Sequence, residues 1–118
     1  MKTLNEKITP IIYNKLVRDN IPEILDKQGK KYEIEVLEDI VYAKKLAEKL
    51  CEEVDEFLKE YNAENDEDAI KKLADIVEVV YAIVDLIGVD AKDFEKLRLM
   101  KAEKNGKFNK KLLLKNVF

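Results

Sequence analysis

The sequence predicts a mainly α fold, a helical bundle built on an antiparallel helix hairpin with further helices beside it and a small β-strand pair. Three observations predict it. Residues 39 to 61 place apolar side chains at i, i+3, i+4 and i+7, the period of one helix face. Residues 66 to 87 are apolar almost all round a helical wheel. Between them lies only the polar stretch Asn62-Ala63-Glu64-Asn65-Asp66-Glu67, and helices joined by so short a loop pack antiparallel as an αα-hairpin.

Taken in order, residues 1 to 10 read as a loose or edge segment, and Ile11 to Val17 as extended or turn-like chain. Asn20-Ile21-Pro22-Glu23 opens a short helix with proline in its first turn, and Gly29 closes it. Tyr32-Glu33-Ile34-Glu35-Val36 alternates with period two and predicts a short strand, with the lysine- and leucine-rich tail Phe108 to Phe118 as its partner. The first long helix has the apolar face Ile40, Ala43, Leu46, Ala47, Leu50, Cys51, Val54, Phe57, Leu58 and Tyr61. Gly88 ends the second long helix, and Asp90 caps a further one over 91 to 104 that stops at Asn105-Gly106. At 118 residues and 47% apolar composition, the chain is sized for a single domain spanning 1 to 118.

The chemistry concentrates on the second long helix. A helix apolar all round is expected to be buried, yet Asp75, Glu78 and Asp85 interrupt this one, with Asp75 and Glu78 about 60° apart at about 100° per residue. Burying carboxylates costs several kcal/mol each unless a cation compensates them, so the stripe asks for arginines, lysines or metal ions. Asp85, near the helix end, is expected in solvent. On the preceding helix Glu53 falls at the border of the apolar face, Glu56 lies one turn on, and Glu52 points further into solvent. The hairpin would bring Glu53 and Glu56 opposite Asp75 and Glu78. Four converging carboxylates are what Mg²⁺ or Mn²⁺ prefers. Two plainer readings stand beside this one: Lys45, Lys49 and Lys59 could make the Glu52 to Glu56 run an ordinary solvated face, and lysines or arginines could pair internally with Asp75 and Glu78. Lys15 and Arg18 near the start, and Arg98, Lys101 and Lys104 at spacings of three, form a basic set suited to phosphate or to a solvated rim.

Composition excludes much else. No histidine is present, which removes Ser-His-Asp and Cys-His catalysis and histidine-ligated zinc. Three glycines leave no Gly-rich phosphate loop. With 22 Lys and Arg against 25 Asp and Glu, the net charge of −3 argues against nonspecific nucleic-acid binding. The absence of a sufficiently long apolar run or a signal-peptide core argues against the membrane and for the cytoplasm. The single cysteine, Cys51, is expected as a small core residue rather than a nucleophile. The apolar circumference of residues 68 to 87 exceeds what three substantial helices can cover, so a homodimer or higher homo-oligomer is expected.

Together these segments resemble the MazG-like, phosphoribosyl-ATP-pyrophosphohydrolase-like branch of the all-α NTP pyrophosphatases. The resemblance runs from about Tyr13 to Val117. It is carried by Lys15-Leu-Val-Arg18-Asp19-Asn-Ile21-Pro22, Glu52-Glu53-Val-Asp-Glu56, Leu73-Ala-Asp75-Ile-Val-Glu78 and Lys101-Ala-Glu-Lys104-Asn-Gly106-Lys-Phe108, in that order. It implies hydrolysis of a nucleoside triphosphate between its α and β phosphates, yielding a monophosphate and pyrophosphate, with Mg²⁺ as cofactor and Mn²⁺ as substitute. The family pattern Glu-Glu-x-x-Glu followed by Glu-x-x-Asp maps onto Glu52, Glu53, Glu56 and Asp75. Lys72 stands where the second motif has glutamate, and Glu78, one turn beyond Asp75, is the replacement that the acidic stripe suggests. The expected metal ligands are therefore Glu53, Glu56, Asp75 and Glu78. Glu52 and Glu53 are expected to orient or deprotonate water, while Lys15, Arg18, Lys101 and Lys104 contact phosphate. The alternatives are a phosphoribosyl-ATP pyrophosphohydrolase and a non-enzymatic helical dimer module.

Overall fold

The computed structural model describes residues 9–118 and carries four α-helices among them: α1 (Ile21–Lys27), α2 (Asp39–Asn62), α3 (Asp66–Ile87) and α4 (Ala91–Asn105). The loose or edge segment expected over residues 1 to 10 lies, but for Thr9 and Pro10, outside the described residues. In α1, Pro22 occupies the first turn, where its missing N–H is no loss. The end of α1 folds back through Gly29 at φ +69°, with the Lys30 N–H donating to Leu25 O at 3.0 Å.

The hairpin between α2 and α3 is tied by one side chain. Asn65 Oδ1 accepts the Asp68 N–H at 3.4 Å, and Asn65 Nδ2 donates to Glu60 Oε2 at 2.9 Å and Asp68 Oδ2 at 2.8 Å. The last turn of α2 and the first of α3 are thereby joined across Ala63 and Glu64. Asp66, Glu67 and Asp68 in the first turn of α3 oppose the positive end of its dipole. Gly88, at φ +95°, then takes the left-handed position that closes α3 and donates to Asp85 O at 2.9 Å. Asp90 starts α4 by accepting the Lys92 N–H at 2.7 Å. α3 and α4 pack on each other, with Tyr81 edge-on to Phe94 at 6.1 Å.

The chain divides into two compact units, Met1–Lys49 and Leu50–Phe118, and the division falls inside α2. Within the first, Leu46 is buried, with Ile21, Leu25 and Tyr42 half-buried. Within the second, Ala69 is buried and Ile76, Val79, Val80 and Ile83 line the half-buried face of α3. No described helix is long and apolar enough to cross a membrane.

Three expectations are corrected. The described residues hold no strand: 32–36 and 108–118 are irregular, and Val36 is 94% exposed. Alternation signals extended chain, but a ladder also needs a neighbour in register. The Tyr32 hydroxyl is instead engaged by the Asp26 carboxylate, which raises its pKa above the ordinary tyrosine value. Second, α3 is not buried all round, since Ile70 is 65% and Val77 48% exposed. Third, Cys51 is exposed rather than in the core.

Candidate functional site

The second half of α2 brings a carboxylate into the interior. Glu53 is 6% exposed, the one buried charged side chain among the described residues. The border position expected for it on the α2 wheel becomes an interior one because α3 runs back beside it. An uncompensated charge there would cost several kcal/mol.

One compensating cation is Lys72 on α3. Its Nζ donates to Glu56 Oε2 at 2.6 Å and lies 3.9 Å from Glu53 Oε2, an ion-pair distance too long for a hydrogen bond. The hydrogen bond to Glu56 raises the Lys72 pKa above its ordinary value; burial opposes the rise, and the fields of Glu56, Glu53 and Asp75 add to it. Asp75, one turn further along α3 and half-buried, thus belongs to the same electrostatic group. The Lys72 side chain is 31% exposed, so it is only partly withdrawn from water.

The structure therefore assembles Glu53, Glu56 and Asp75 around an ammonium group. Glu78 is exposed and is not among the carboxylates that act on Lys72, and Glu52 is half-buried beside Glu53 in sequence. Carboxylates are the right donors for Mg²⁺ or Mn²⁺. Among the described residues, no three acidic or sulfur side chains converge on a point that could hold a metal. As folded, the cluster holds the Lys72 ammonium.

Lys15 and Arg18 are exposed in the first unit; Lys101 and Lys104 are exposed on α4 in the second. Arg98 is taken by its own helix, its guanidinium Nε donating to both Glu95 oxygens at 3.1 and 3.0 Å, which raises the Arg98 pKa and lowers that of Glu95. Of the basic face expected on α4, the two lysines are the part not held by Glu95.

The residue whose pairing sequence reasoning did not anticipate is Lys72. The motif marks it only as a departure from glutamate, whereas in the structure it pairs with Glu56 and lies at ion-pair distance from Glu53. A signal existed: Glu56 and Lys72 are equally distant in sequence from Glu64 at the hairpin tip, so an antiparallel hairpin sets them opposite one another.

The family model for phosphoribosyl-ATP pyrophosphohydrolase matches residues 15–98. The chain belongs to that family. No curated protein and no solved structure matches it. The match begins at Lys15, takes in the Glu52 to Glu56 run, Lys72 and Asp75, and ends at Arg98, short of Lys101 and Lys104. Membership in the phosphoribosyl-ATP pyrophosphohydrolase family identifies a hydrolase that releases pyrophosphate from a nucleotide. It also places the buried carboxylate and its lysine inside the matched region.

Proposed function

We propose that the chain hydrolyses a nucleoside triphosphate between its α and β phosphates, releasing a nucleoside monophosphate and pyrophosphate. The observation that carries this reading is the coincidence of the family match with a buried glutamate on a half-covered acidic cluster. Glu53, held away from bulk solvent, accepts a hydrogen bond from the attacking water and takes its proton as the bond to phosphorus forms. Glu52, its neighbour, orients that water or the groups around it. Lys101 and Lys104 supply ammonium donors for the phosphate chain. Mg²⁺, or Mn²⁺ in its place, is the proposed cofactor, and when bound it would neutralise phosphate charge and make water more acidic.

A homodimer or higher homo-oligomer is the proposed assembly, resting on the exposed stripe Ile70, Leu73, Val77 and Tyr81 along one face of α3. The family match favours a second substrate reading, phosphoribosyl-ATP. Pyrophosphate release measured across a panel of nucleoside triphosphates and with phosphoribosyl-ATP, each with Mg²⁺ and with EDTA, tests both. Release from triphosphates that stops in EDTA is expected. Release from phosphoribosyl-ATP alone would transfer the assignment to the second substrate, and no release from any of them would reject the enzyme.

A further inference from the structure

The segment that follows α4 combines apolar exposure with charge of one sign. After Gly106 the chain makes one turn, the Lys111 N–H donating to Phe108 O at 3.2 Å with Lys111 at φ +58°, and then runs without helix or strand from Leu112 to Phe118. Leu112, Leu113, Leu114 and Val117 are each at least 80% exposed. Single surface leucines are ordinary, but a consecutive run of them is a patch. Residues 107–118 also hold Lys107, Lys110, Lys111 and Lys115 and no acidic side chain.

The open stripe of α3 has the complementary character. Ile70, Leu73, Val77 and Tyr81 are exposed, and Glu78 and Asp85, at i−3 and i+4 from Tyr81, form an exposed acidic border along one side of them. The lengths also agree. Ile70 to Tyr81 spans about 17 Å at the helical rise, and Leu112 to Phe118 about 20 Å when extended. Both surfaces are open at once, so within the single chain the segment does not cover the stripe.

We propose that residues 107–118 of one copy lie along the open stripe of α3 in a second copy, the run from Leu112 to Val117 supplying apolar contact and Lys110, Lys111 and Lys115 facing Glu78 and Asp85. This rests on the homo-oligomer in the proposed function and names what covers the stripe. In a two-fold pair the exchange is reciprocal, each copy giving its segment and receiving the other's. Charge selects this occupant: the acidic border attracts a basic segment, whereas two α3 stripes set face to face would oppose like charges.

Two charge-reversed chains test the exchange, one carrying K110E, K111E and K115E and the other E78K and D85K. All five positions are exposed, so both folds should survive, with circular dichroism as the check. Each variant alone sets like charges against each other and should self-associate at least about ten-fold more weakly than the wild type in sedimentation experiments. Mixed in equal amounts, each segment meets the oppositely charged border of the other chain, and the mass distribution should return to that of the wild type. A mixture no more associated than its components would overturn the exchange, because rescue between chains requires contact between chains. The wild type gives a readout free of substitutions: raising NaCl from about 50 to about 500 mM should weaken its association several-fold, since exposed charge pairs are screened. Association that salt leaves unchanged would also overturn the proposal. A wild-type oligomer that neither variant weakens would reject the segment and keep the assembly on other contacts; a monomeric wild type would reject both.

Discussion

The two faces of α3 invert the usual distribution of polarity. On one, Lys72 and Asp75 lie among half-covered side chains and join Glu53, a buried carboxylate from α2. On the other, Ile70, Leu73, Val77 and Tyr81 follow a helical stripe and are left to solvent within the single chain. Charge where the helix is covered is costly unless paired, and apolar area where it is open is costly unless another surface meets it. Neither face is explained by stability of the isolated chain. On the proposed function the covered one serves chemistry on phosphate, and on the proposed assembly the open one meets a second copy.

Removing the cation from the covered face should have the largest effect. K72M preserves most of the stem but leaves Glu53 without the ammonium 3.9 Å away, and should cost about 2 to 4 kcal/mol in EDTA. Denaturant melts of both proteins would show it; a loss within error would mean that Lys72 does not compensate Glu53. The pH dependence has a definite sign. Because the folded chain raises the Lys72 pKa, chiefly through the Glu56 hydrogen bond, the stabilisation is present below the ordinary value of 10.5 and is lost as pH climbs through the folded-state value. The gap between wild type and K72M should be constant through neutral pH and begin to close only above 10.5.

The open face should respond to charge with a change of mass rather than of fold. V77D places a carboxylate in the middle of the exposed stripe and should weaken association by about 1 to 3 kcal/mol, seen in light scattering as a shift toward the monomer. A monomeric wild type at micromolar concentration would remove the comparison's second half. R98A, which breaks an exposed pair with Glu95, should leave the melting temperature unmoved and serves as the control for charge removal.

Helix positions were legible in the sequence because their signals are local. Gly88 and Asp90 mark their boundaries with the backbone groups of their own turns, and the expected spans of α2, α3 and α4 agree with the structure to within a residue. The polar loop announced the hairpin, though the Asn65 bridge to Glu60 depends on two helices meeting. What was not legible is non-local. Residues 32–36 alternate as a strand would, but nothing in their own order says whether a partner lies alongside. The apolar circumference of α3 suggested burial, while the number of neighbours is a property of the whole assembly. Of the acidic stripe, Asp75 acts on the Lys72 ammonium, whereas Glu78, one turn on, is exposed. Lys72 stands out in the sequence only by its departure from the motif, and its pairing with Glu56 and Glu53 depends on the register of α2 against α3.

The central claim is that the Glu53 cluster is where a nucleotide loses pyrophosphate. E53Q keeps the volume of the side chain and removes its charge, so the fold should survive with a melting temperature close to that of the wild type. Initial rates of pyrophosphate release by both proteins, on the best substrate of the panel and with Mg²⁺ in excess, test the claim most directly. A fall of about a hundred-fold or more in E53Q, with the helical content unchanged, is the expected result. Equal rates in the two proteins would contradict it and move the chemistry away from Glu53.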